Sequence, residues 1–181
     1  MAQHMLIRYS RWVFTIAAAS ALTVVAQAAP PATTLSESGY GKLRFGMTLA
    51  QAEQALGDKL IAGEGESPNT RCYQVHPKSN PVQYSLMIKK GRVARMTIHD
   101  AASDIRSSRG IGLGDLDSKV RQQYGTTLID EEHEYRGPRG RYLTWWNPNG
   151  THGLRYETGF DGHVFKIHAG DKSITLIEAC S

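Results

Sequence analysis

The sequence predicts an α+β fold of two tandem repeats, each a short helical element packed on an antiparallel β-meander. Three observations predict it. A stretch occurs twice: Leu43 to Gly57 returns as Ile111 to Gly125 at a shift of 68 positions, with Gly46 on Gly114 and Gly57 on Gly125. The same shift carries Leu43, Phe45, Ala52, Leu56 and Leu60 onto Ile111, Leu113, Val120, Tyr124 and Leu128, and such self-similarity is the signature of an internal duplication. Each copy is followed by runs in which apolar and polar residues alternate, the pattern of half-buried strands. A later hairpin repeats as well, with Gly91 on Gly162, Val93 on Val164, Arg95 on Lys166 and Met96 on Ile167.

Residues 1–28 read as a signal peptide. Arg8 and Arg11 form a positive n-region, Trp12 to Val25 is apolar apart from Thr15, Ser20 and Thr23, and Ala26-Gln27-Ala28 is an A-x-A cleavage site. The other reading is a retained membrane anchor, against which stand the short run and its small-residue end. No Cys follows the cleavage site to carry a lipid, so no anchor is expected after cleavage. Without the leader the chain keeps 19 Lys+Arg against 17 Asp+Glu. The pI near 9.1 therefore does not argue for nucleic acid, and no long basic run does either. The expected address is periplasmic or secreted. There Cys72 and Cys180, in opposite repeats, default to a disulfide. Closing a loop of that length is worth about 4 kcal/mol on the chain-entropy model. Two separate buried thiols are the alternative.

Residues 29–39, rich in Pro, Ala, Thr and Ser, read as a flexible leader. Repeat 1 spans 40–103 and repeat 2 spans 109–181. In repeat 1, Leu43-Arg44-Phe45 leads to a turn at Gly46. Thr48 with Gln51 three residues later matches a capping box, and Gly57 stops the helix whose apolar face carries Leu49, Ala52 and Leu56. Strands are expected over Arg71 to His76, Val82 to Lys89 and Arg92 to His99, with Ala94, Met96 and Ile98 opposite Val93, Arg95, Thr97 and His99. Asp100 to Arg109 joins the repeats. In repeat 2, Leu116, Val120 and Tyr124 form one helical stripe, and Asp115 and Asp117 suit the helix N-terminus. Asp130 to Arg139 reads as a charged loop. Strands follow over Arg141 to Trp146, Gly153 to Thr158 and His163 to His168, with a final one from Ile174 to Ala179.

Phe45-Gly46-Met47-Thr48, a short helix and Gly57, with the matching Gly114 and Gly125, resemble the opening of each repeat in the beta-lactamase inhibitor protein family. They also resemble the small outer-membrane assembly lipoproteins of the SmpA/OmlA type. Both resemblances imply a helical element on one face of an antiparallel sheet, and the first implies a tandem unit whose free sheet face grips a protein. The lipidated Cys of the lipoprotein family is absent here.

Alternation places Gln74 and His76, then Arg95, Thr97 and His99, then Arg155 and Glu157, then Lys166 and His168 on the sheet face away from the helices. That face is expected to be open and mostly basic. It reads either as an ordinary solvated face or as a binding surface for an acidic partner, which Arg and His suit. Of Trp145 and Trp146, neighbours on one strand, one should enter the core and one the open face, where it could anchor an interface. His163 and His168, five apart, point to opposite sides. His133, amid Asp130, Glu131, Glu132 and Glu134, lacks the pattern of a calcium loop. No nucleophile elbow, zinc helix or phosphate loop occurs, and Gly110-Ile111-Gly112-Leu113-Gly114 has the wrong spacing for a nucleotide cradle. The expectation is a monomeric, non-catalytic protein-binding module without cofactor, of the kind an enzyme inhibitor would be. An envelope-assembly scaffold and a small-ligand-binding protein are the alternatives.

Overall fold

The computed structural model describes residues 33–68 and 70–180. The expected signal peptide and its cleavage site lie outside them. The described residues form one eight-stranded antiparallel sheet, a small three-stranded sheet and two short α-helices. The small sheet joins β1 (Leu35–Ser36), β2 (Gly39–Tyr40) and β3 (Leu43–Arg44). The main sheet is built from β4 (Leu60–Ala62), β5 (Cys72–Pro77), β6 (Ser85–Lys89), β7 (Arg92–Ile98), β8 (Ile129–His133), β9 (Gly137–Trp146), β10 (Gly153–Thr158) and β11 (Val164–Gly170). Its spatial order is β4-β5-β6-β7-β11-β10-β9-β8, so two four-stranded meanders meet where β7 pairs with β11.

Helix α1 (Leu49–Leu56) starts and stops where its sequence dictates. Thr48 Oγ1 accepts from the Gln51 amide, the Gln51 side chain accepts from the Thr48 amide, and Gly57 closes the helix in the left-handed region at φ 69°. Helix α2 (Asp117–Tyr124) has no side-chain cap at Leu116. Asp115 instead accepts from the Gly112 amide and pairs with Lys119 and Arg106, at 2.8, 2.9 and 3.0 Å. Both helices bury their apolar stripe on the same sheet face. Ala52, Val120 and Tyr124 join one core with Leu86, Ile88, Met96, Ile98, Leu143, Leu154, Tyr156 and Ile167.

Several local features occur once in each half. Gly46 and Gly114 turn the chain at φ 89° and 81°, a conformation that favours glycine. Their amides donate to the carbonyls of Val93 and Val164, both at 2.8 Å. The amides of Val93 and Val164 donate back to the carbonyls of Met47 and Asp115, again at 2.8 Å. A register shift occurs in both hairpins, between Met87 and Ile88 and between Glu157 and Thr158.

Four expectations require correction. Residues 33–39 are not a free leader: Leu35 is fully buried, donates from its amide to Arg106, and accepts from Ser108. A single Leu in a Pro/Thr/Ser-rich run carries no periodicity by which to recognise it. Asp130 to Arg139 is not a loop, because residues 129–133 form the edge strand β8 on β9. Edge strands tolerate charge on the solvent side, which masks their alternation. Val93 does not share a side with Arg95. Ala94 sits in the register shift, so Val93 turns to the core beside Met96. Residues 174–179 are not a strand. Lys172–Thr175 make a 3₁₀ turn capped by Asp171, whose carboxylate accepts from the Ser173 amide. Both edges of β11 are already occupied by β7 and β10, so no ladder remains for a further strand beside it.

Candidate functional site

The sheet face away from the helices is set by register. One row across it runs Gln74, Met87, Arg95, Gly170, Gly153, Trp146. The next runs Ser85, Thr97, His168, Arg155, Thr144, Ile129, and a third runs Lys166, Glu157, Tyr142, Glu131. The sequence-predicted residues Gln74, Arg95, Arg155, Glu157, Lys166 and His168 therefore share this face, with His76 further along β5 and His99 just beyond β7. Trp145 packs on the helix side, 5.5 Å from the Tyr124 ring. Trp146 lies on the second face, where a Cβ on Gly153 would meet its ring at 2.9 Å and Ile174 at 3.1 Å.

The face is not open along its length. Arg95, Arg155, Glu157 and His168 are 3–5 % exposed. Residues 171–180 form a strap across it, ending in the disulfide between Cys180 and Cys72, whose Cα atoms are 5.6 Å apart. Arg95 Nη1 donates to the carbonyls of Ser173 and Leu176 at 2.9 and 3.1 Å, and Arg155 Nη1 to that of Thr175 at 3.3 Å. The expectation of an open basic surface at Arg95 and Arg155 is thus corrected: their guanidiniums are structural donors under a cover. The second guanidinium nitrogen of Arg155 reaches Glu131 at 2.8 Å, and its Nε donates to Thr144 at 2.9 Å. The Arg155 guanidinium carbon lies 4.4 Å over the Tyr142 ring.

Glu157 is the centre of the buried network. His168 Nε2 donates to Glu157 Oε1 at 2.7 Å, and His133 Nε2 donates to Oε2 at 3.2 Å. Thr97 Oγ1 donates to His168 Nδ1 at 2.9 Å, and the Tyr135 amide donates to His133 Nδ1 at 3.1 Å. Each imidazole thus keeps its ring hydrogen on Nε2 and aims it at one carboxylate, with the other nitrogen already occupied. Lys166 Nζ stands 3.6 Å from the same carboxylate. Burial pushes the Glu157 carboxyl up, but the hydrogen bond and charge of His168, with Lys166 and His133, outweigh it and bring it to about 2. Burial pushes His168 down to about 4 against the pull of Glu157, so at neutral pH it is the neutral donor.

Both groups act on stability in one direction. His168 is held below its ordinary 6.5 and Glu157 below 4.5, so the unfolded chain binds more protons in each window. Stability therefore rises with pH through both. As pH drops from 6.5 toward 4, and again from 4.5 toward 2, urea midpoints should fall, with a combined loss of a few kcal/mol. The upper window belongs to the histidine, and His168→Gln should flatten it. A wild-type profile flat between pH 6.5 and 4 would remove His168 from the account.

The face is uncovered at its far end. His99 is exposed next to Lys166, and burial followed by the charges of Lys166 and His76 holds its pKa down. Phe165 sits in the register shift of β11, with the Arg136 guanidinium 4.8 Å from its ring and Lys166 Nζ at 5.8 Å. Tyr135 beside them is 63 % exposed. Sequence reasoning missed His133, Tyr135, Arg136 and Phe165, because the first three fell in the supposed loop and the last in a bulge. Tyr142 and Thr144 were within reach of simple alternation along β9. Among the described residues no three His, Cys, Asp or Glu side chains are grouped to hold a metal ion, and no helix is long and apolar enough to cross a membrane. Comparison with protein families, with curated proteins and with solved structures returns no significant match.

Proposed function

We propose that the chain is an exported, non-catalytic protein-binding module that grips an acidic partner through the uncovered end of its second sheet face. The observation that carries this reading is the cluster of His99, Lys166 and Arg136 around Phe165, bordered by Tyr135 where its hydroxyl meets Glu178 of the strap. Tyr and Arg are among the side chains enriched at interface centres, and the Lys166 and Arg136 cations favour a carboxylate-rich counterpart, with His99 held toward its neutral form. The hydroxyl–imidazole–carboxylate line of Thr97, His168 and Glu157 does not compete as a catalytic group. All three residues are at most 6 % exposed, and the hydroxyl is spent on Nδ1.

The reading includes the duplication. The paired turns at Gly46 and Gly114, their matched bonds to Val93 and Val164, and the two equivalent register shifts support descent of both halves from one helix-plus-meander unit. That is the arrangement the resemblance to the inhibitor family implies. The Cys72–Cys180 bond is compatible with export.

The test is affinity capture from envelope and medium fractions with the oxidised chain, beside a folded His99→Glu, Arg136→Glu variant. These side chains are exposed, so the variant should keep its circular dichroism. One protein held by the wild type should bind the variant at least about tenfold more weakly, as loss of a hot spot does. Its identity then separates enzyme inhibition from envelope scaffolding. Equal capture by both forms would remove this surface from the reading.

A further inference from the structure

We infer that the Arg95 end of the second face is a latent binding site for a carboxylate-bearing peptide segment, covered by the chain's own strap and uncovered when the Cys72–Cys180 bond is reduced. The site already holds a peptide. Arg95 and Arg155 grip the strap by main-chain carbonyls of Ser173, Leu176 and Thr175, contacts that do not depend on the strap's side chains. The fit is incomplete. Among the described residues only Nη1 of Arg95 is engaged, its Nε is buried without an acceptor, and Glu157 and Asp171 act on its charge without forming an ion pair with it. A buried donor without a partner carries an unrecovered desolvation penalty. A carboxylate, which takes a guanidinium by two parallel bonds, would satisfy it where a carbonyl does not.

The cover is weakly held beyond Leu176. Among the described residues, 177–180 make no main-chain hydrogen bond, and Ile177 and Glu178 are exposed. What fixes them is the Tyr135 hydroxyl donating to Glu178 at 3.0 Å, and the disulfide. In the sheet register Met87 lies between Arg95 and the strand of Cys72, the two points to which the strap is tied. Met87 pairs with both Arg95 and Gln74, and it is 1 % exposed. Lifting the strap opens an apolar floor beside a cation that has no ion-pair partner among the described residues. Opening takes a dithiol reductant. It gives two electrons and two protons, the S–S bond breaks, an S–H bond forms at each Sγ, and the dithiol closes to its own disulfide. The site lies away from His99 and Arg136, and the two surfaces meet at the bond from Tyr135 to Glu178.

Hydrogen exchange read by mass spectrometry, with and without dithiothreitol, tests the cover. Fluorescence anisotropy with a labelled hexaglutamate peptide tests the site. Reduction should speed exchange of the hydrogen-bonded strap amides of Ser173, Ile174 and Leu176 at least about tenfold while β10 and β11 stay protected. Hexaglutamate should bind the reduced chain at least about tenfold more tightly than the oxidised one, and Arg95→Lys, shown to be folded, should abolish that gain. Unchanged strap exchange would overturn the inference. So would exchange rising throughout β10 and β11, which would make the bond a staple of the whole fold. A released strap with equal or no hexaglutamate binding would overturn the ligand class. None of these outcomes depends on His99 or Arg136, so failure here is separable from failure of the docking surface.

Discussion

Glu157→Gln is expected to lower stability by about 3–5 kcal/mol, the usual cost of removing one partner from a buried charged network. In a chain of this size that is on the order of 10 °C in midpoint. Glutamine keeps the shape but not the charge, and its amide nitrogen meets one of two imidazole hydrogens head-on. His168 and His133 both donate to the carboxylate at present, and their other nitrogens are taken by Thr97 and the Tyr135 amide. His133 cannot change tautomer without setting a second donor against the Tyr135 amide, whereas Thr97 can turn from donor to acceptor for His168. Lys166 would lose its carboxylate partner, and Glu131 would remain as the counter-charge of Arg155. Urea unfolding at pH 7 measures the loss. In the same variant the acid-dependent fall below pH 4.5 should shrink, because the group that titrates there is gone. A variant within about 0.5 kcal/mol of wild type would mean that the carboxylate does not balance the network.

Leu35→Ala is expected to lower stability by about 2–5 kcal/mol, the range for truncating a fully buried leucine. Leu35 has no accessible surface and joins the core that the helices close. It is also the point where β1 holds the connector between the halves, by its amide to Arg106 and its carbonyl from Ser108. A truly flexible leader would tolerate the change. Thermal melts of the chain against the variant decide between the two, and an unchanged midpoint would return these residues to the status of a linker.

Strand phase was legible in the sequence. Alternation alone put Arg95, Arg155, Glu157, Lys166 and His168 on one face, and hydrogen-bond register places them there. Helix ends were legible too, because Thr48, Gln51 and Gly57 are local chemistry. What lies over the face was not. Burial of Arg95 depends on Ser173 and Leu176, 78 and 81 positions away and joined to it by no periodicity. The strap's Ile174, Leu176 and Ile177 looked like strand residues, and only the occupied neighbours of β11 deny them a ladder. His133 was hidden by Asp130, Glu131 and Glu132, whose charge suggested a loop. The same charges belong to a strand with solvent on one side. A bulge reverses the phase beyond it, which is how Val93 and Phe165 escaped the alternation.

The order of the main sheet has a bearing on how the molecule behaves at high concentration. An open sheet ends in two rows of unpaired amides and carbonyls that invite another chain to add on. Here one end is β4, three residues long, and the other is β8, whose Asp130, Glu131 and Glu132 are consecutive and exposed. A second copy meeting the first β8 to β8 meets Glu132 and the carboxylates of Asp130 and Glu131, which are held by Arg121, Arg141 and Arg155, while β4 offers too few bonds to hold a visitor. The same charged run that disguised the strand makes β8 a poor template for a further strand.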